Sequence, residues 1–169
     1  MTGAEVTLLA TLLGGALSLA GAFAAQSFAH FREGRALRTA FGAEINGILQ
    51  ISQALRHEEV LSELIARWRA GEDVDAAHFG GDLPQDPIYG SNTGRIGLLG
   101  REAADTVLFY TRLGAVRVYL KAIADGQLAT MDLPRRAEFM QRGLQLWRET
   151  KPLGEQLVLR LLPRHGLGR

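Results

Sequence analysis

The sequence predicts an all-α protein: an N-terminal transmembrane helix, free to run on into a long cytoplasmic helix, plus an antiparallel three- to four-helix bundle. Three observations predict it. Residues 6–29 hold no charged side chain. Beyond them, apolar residues recur at steps of three and four rather than in alternation. The first proline is Pro84, so nothing forbids a helix through the first half of the chain. The 169 residues divide into an anchor (1–31), a helical bundle (32–162, with a loop at 71–92) and a basic tail (163–169).

The anchor is read from "VTLLATLLGGALSLAGAFAAQSFA". As a helix it rises roughly 36 Å, and a bilayer core needs about 20 apolar residues. A cleaved signal peptide is the competing reading, with "AFA" at 22–24 as a cleavage site. Its n-region lacks Lys and Arg and carries Glu5, which argues against it. Arg32, Arg35 and Arg38 follow the span against a single Glu33, so the positive-inside rule puts the N-terminus outside and the rest in the cytoplasm. These juxtamembrane arginines are read mainly as topology signals, each worth about 1 kcal/mol of attraction to anionic headgroups. Ala10, Gly14, Ser18 and Ala22 recur every four residues, a small-residue seam through which two spans can associate.

In the next segment Leu37, Phe41, Ile45, Ile48, Ser52 and Leu55 share one helical face, and Leu61, Leu64, Ile65 and Trp68 continue such a face. A break near His57 is compatible with the pattern. Residues 71–92, rich in Gly, Pro and Asp, read as a loop. A helix capped by Ser91 or Asn92 follows, with Ile96, Leu99, Ala103, Val107, Tyr110 and Gly114 as its stripe. It is apolar over so much of its circumference that it is expected to lie at the centre of the bundle. Asp125-Gly126 closes it. Asp132 caps the last helix, Pro134 sits in its first turn, and Ala137, Met140, Leu144 and Trp147 face inward. Pro152 is expected to break or kink this helix near residue 151.

"GSNTGRIGLLG" at 90–100 is the one stretch that resembles a phosphate loop. No strand is predicted ahead of it, there is no Gly-Lys pair, and glycines at 94, 97 and 100 do not fit G-x-G-x-x-G. Close packing against a neighbour is the preferred reading of the three glycines. Arg95 stands in the first turn, where a cation is disfavoured, and Asp82 or Asp86 is its expected partner. A sharper alternative is an anion or small ligand held by Tyr89, Asn92, Arg95 and Arg101.

The pattern of Tyr89, Asn92, Ile96–Gly100 and Phe109-Tyr110 resembles that of small bacterial single-pass membrane-anchored proteins with a helical cytoplasmic domain. The resemblance covers about 27 residues and implies a fold and a location but no activity.

Other chemistry is thinly represented. There is no cysteine, which excludes disulfides and thiolate catalysis. His57, Glu58, Glu59 and Glu63 are the densest ligand cluster and read as a solvated face; no metal or cofactor is implied. Glu44, beside an apolar face, is expected to pair with an arginine. Seventeen arginines against two lysines are interleaved with acids at net charge +1, which does not describe a nucleic-acid stripe. The abundance of arginine, alanine, glycine and leucine suits a GC-rich bacterial genome. The sequence therefore predicts a bacterial inner-membrane interaction, scaffold or regulatory module with no evident catalysis. Its partners are the bilayer and either a protein or a second copy. The alternatives are ligand binding at 89–101 and an oligomerising membrane effector of phage or stress type.

Overall fold

A computed structural model describes residues 3–74, 76 and 84–162, with side chains from residue 14 onward except Ala16. Five α-helices appear among these residues: α1 (Gly3–Ala54), α2 (His57–Arg69), α3 (Pro87–Asn92), α4 (Ala103–Ala124) and α5 (Leu133–Leu161). Short 3₁₀ segments at Thr93–Glu102 and Gln127–Thr130 join them, and no strand occurs among the described residues.

The first helix is a single rod of 52 residues, about 78 Å at 1.5 Å per residue. It enters the bundle only at Gly34, from which Leu37, Phe41, Ile45, Ile48 and Ser52 turn one buried stripe inward at steps of three and four. Leu55, expected on that stripe, is half exposed, because the helix ends one residue before it. Arg56 takes a left-handed conformation (φ 52°) and α2 restarts at His57.

The axis of the bundle is α5, which contacts α1, α2 and α4. It runs antiparallel to α1 and α2, which follow one another along it: Gly42 lies on Leu161 and Leu162, while Arg148 reaches Glu58 and Arg136 reaches Asp73. It is antiparallel to α4 as well, with Gly154 on Phe109, Gly143 on Tyr119 and Arg160 on Asp105. The expectation that the 103–124 helix is central is thus corrected. Its second apolar face, with Val107, Leu108 and Val118, points outward. Pro152 does not end α5 either. Burial of Trp147, Thr150, Gly154 and Leu157 around it offsets the roughly 3 kcal/mol that an interior proline costs. Asp132 does cap α5, its Oδ1 accepting the Arg135 N–H at 2.9 Å, and Gly126 (φ 67°) makes the turn before it.

The span expected over 6–29 has a mixed outcome. It is helical throughout its length. Among the described residues, however, no helix is long and apolar enough to cross a membrane. The side chains of residues 6–13, which supply Val6, Leu8, Leu9, Leu12 and Leu13 to that stretch, lie outside them, as does the basic tail.

Candidate functional site

The expected loop ends early. Pro87 opens α3, and the chain continues without pause into the 3₁₀ segment. Neither Ser91 nor Asn92 caps a helix. The Ser91 hydroxyl donates to Pro87 O at 2.6 Å, and the Asn92 amide to Ile88 O at 2.9 Å. Asp86 stands at the N-cap of α3 without capping it, because Arg117 takes its carboxylate at 2.7 Å and also donates to Pro84 O.

The missing cap comes from the other side of the bundle. Glu44 of α1 accepts the Ile88 N–H at 2.7 Å, the Tyr89 N–H at 3.1 Å and the Tyr110 O–H at 2.6 Å. The expected arginine partner is therefore replaced by two amides and a phenol. Tyr110 stacks on Tyr89 with centroids 4.1 Å apart, and Phe41 meets both rings edge-on at 6.0 and 6.4 Å. Burial, and next the Glu44 carboxylate, push the Tyr110 phenol far above its ordinary pKa, so it is a fixed neutral donor.

A second carboxylate completes the attachment. Glu102 is fully buried at the start of α4, with Arg38 Nη2 at 2.9 Å and Arg101 Nε at 2.8 Å. Burial raises its pKa, but the Arg101 hydrogen bond and the Arg38 charge outweigh it, and the carboxyl is held below its usual value. Arg38 also donates to Leu99 O at 3.3 Å. Of the three juxtamembrane arginines it is the one built into the fold, while Arg32 and Arg35 stay exposed.

The structure places the proposed ligand residues as follows. Tyr89 is stacked on Tyr110, and Asn92 is bonded to Ile88. Arg95 pairs with Glu33 of α1, with Asn92 Oδ1 at 3.4 Å. Arg101 is exposed and bonded to Glu102. Each is occupied within the chain rather than aimed at a common space. Of the partners expected for Arg95, Asp86 serves Arg117 and Asp82 lies outside the described residues.

The glycine reading changes too. A Cβ at Gly94, Gly97 or Gly100 would meet nothing within 4 Å, so close packing does not explain them. Gly100 is needed for its backbone (φ 66°, ψ −126°), which separates the 3₁₀ segment from α4. The close approach is at Gly34, whose Cβ would stand 3.2 Å from Leu98 O.

The Glu44 and Glu102 clusters were missed as sites because all their partners but the adjacent Arg101 lie about 44 to 66 positions away, beyond any local pattern. Chemically, the arrangement is a clamp: Glu44 on α1 holds the start of α3 by hydrogen bonds, and Glu102 is held against α1 chiefly by its ion pair with Arg38. His57 is buried with neither ring nitrogen hydrogen-bonded, and burial lowers its pKa. Glu58 goes to Arg148, and no group of three His, Asp or Glu side chains suited to a metal occurs among the described residues. In comparisons with known proteins, no family model, no curated protein and no solved structure matches this chain.

Proposed function

We propose that this protein is a membrane-anchored helical interaction module, with its N-terminus outside and its bundle in the cytoplasm of a bacterial cell. The observation that supports this most is the uncovered first part of α1. Leu17, Leu19, Phe23, Phe28 and Phe31 are between 63% and 75% exposed, and no other element covers them. Fully burying one such side chain is worth about 1.5–3 kcal/mol, so this rod left in water forgoes on the order of 10 kcal/mol. Together with the uncharged residues 6–13, it forms the stretch that a bilayer would cover. The bundle then acts by location, since tethering raises its effective concentration for a partner at the same surface.

The absence of cysteine makes the topology directly testable. Single-cysteine variants Thr2→Cys and Gln145→Cys are treated with a membrane-impermeant maleimide on intact spheroplasts. The expected outcome is labelling at position 2 in intact spheroplasts and at position 145 only after permeabilisation. The reverse pattern contradicts the orientation. Labelling at both sites in intact spheroplasts contradicts the span.

A second reading, self-association of the span, is favoured by one feature. Gly14, Gly15 and Gly21 have nothing within 4 Å of a notional Cβ, and Ser18 and Ala22 are exposed, so the seam is free to receive a second helix. In a reporter assay of span dimerisation, Gly14→Leu and Ser18→Leu are expected to lower the signal.

A further inference from the structure

Where α1 enters the bundle, the end of α5 comes alongside it. Between them lies an open cleft of about 200 Å³, lined by Arg35, Arg38, Thr39, Arg160, Leu161 and Leu162. Three guanidinium groups on two helices therefore border one space. Their partners do not neutralise it. Arg160 is paired with Asp105 at 2.8 Å, and Arg38 shares the buried Glu102 with Arg101. Arg35 is exposed and has no carboxylate partner among the described residues, and the same holds for Arg32 one turn earlier. The nearby Glu33 is taken by Arg95. The cleft thus keeps net positive charge in a molecule whose overall charge is only +1.

Its position along α1 is informative. Phe31 is the last exposed aromatic of the apolar rod, and Arg35 follows it by four residues, about 6 Å along the axis. The polar layer of a bilayer leaflet is about 5–7 Å thick. Arg35 therefore stands at headgroup level whenever the rod is inserted, with Arg38 and Arg160 forming the upper rim.

We infer that this cleft holds the phosphate of an anionic lipid headgroup, of the phosphatidylglycerol type. The inference rests on the anchoring proposed above. A guanidinium presents a planar fork suited to phosphate oxygens, and Arg35 is the one exposed to offer it, while Arg38, whose two terminal nitrogens go to Leu99 O and Glu102, contributes charge at the rim. The lipid phosphate competes with Asp105 for Arg160 and meets Arg35 with no competitor. The bound lipid fixes the height and tilt of the bundle at the surface, where charge attraction alone would leave both free.

The test uses the full-length chain, released from membranes in neutral detergent. It is incubated with equal amounts of phosphatidylglycerol and phosphatidylcholine, and retained lipid is counted by native mass spectrometry. Phosphatidylglycerol is expected to be retained over phosphatidylcholine. The double variant Arg35→Gln/Arg160→Gln is expected to lower retention at least about fivefold. Arg142→Gln, far along α5, should leave it unchanged. Equal retention of the two lipids, no loss in the double variant, or an equal loss in Arg142→Gln overturns the inference. So does displacement of the lipid by equimolar inorganic phosphate, which would make free phosphate the ligand. Carbonate-resistant insertion of the same chain into phosphatidylcholine vesicles is scored separately. Failure there removes the anchoring, whereas insertion without lipid selectivity removes only the cleft.

Discussion

Glu44 carries more of the fold than its half-buried position suggests, because three donors end on it. Removing it would orphan the Ile88 and Tyr89 amides and the Tyr110 hydroxyl together. Each buried donor left unmade costs about 1–3 kcal/mol. The Ile88 and Tyr89 amides are only half-buried, so water recovers part of this, and Glu44→Ala is expected to cost about 2–4 kcal/mol in denaturant unfolding of the detergent-solubilised chain. Tyr110→Phe removes one charge-assisted bond and should cost about 1.5–3 kcal/mol. Because the two residues share a bond, their losses should not add in a double-mutant cycle. His57 makes a different prediction. Burial lowers its pKa, so the unfolded chain takes up a proton that the folded chain refuses. Stability should then fall as pH drops below the ordinary histidine value of 6.5. Glu102, also depressed, adds a loss that sets in only as pH falls below 4.5. The melting midpoint should decline from pH 7 to pH 5 in the native chain and decline less in His57→Met. Identical pH profiles would show that His57 is not the group responsible. None of these roles was legible from residue type: Glu44 looked like half of an ion pair, and His57 like part of a solvated acidic cluster.

At the scale of the element, α2 and the first half of α5 follow from their sequence periodicity, the passage of α5 through Pro152 does not, and the Asp132 cap and Gly126 turn follow from local chemistry. The segment 87–102 does not. A stripe counted from Ile96 to Gly114 assumes one continuous α-helix, but Gly100 turns the backbone and α4 starts afresh at Ala103. Ile96, Leu99 and Tyr110 of that stripe are buried as expected, but Val107 faces out and Thr106, Phe109 and Leu113 face in. Glycines provide a direct check on which close approaches matter. A Cβ at Gly143 would stand 2.7 Å from the Tyr119 ring, and one at Gly154 would stand 2.6 Å from Phe109. Gly143→Ala and Gly154→Ala should each destabilise by about 1–3 kcal/mol through overpacking. Gly47, inside α1 with nothing within 4 Å, should instead gain up to about 1 kcal/mol as alanine. Thermal unfolding of the three variants decides it, and a destabilised Gly47→Ala would contradict the described packing of α1.

At the scale of the whole molecule, two parts with opposite surfaces share one helix. From Gly34 onward α1 is a wall of a packed bundle, and before it the same helix carries Leu17, Leu19, Phe23, Phe28 and Phe31 outward and uncovered. The division was legible in the sequence as a change from uninterrupted apolar residues to periodic ones. The arrangement of the bundle was not, because α5 becomes its axis through contacts between helices distant in the chain. The anchoring claim is tested most directly by fractionating cells that express the unprocessed full-length chain. After breakage without detergent and high-speed centrifugation, the chain should pellet with membranes, resist carbonate extraction and be released by detergent. Recovery of the full-length chain in the supernatant would contradict the account.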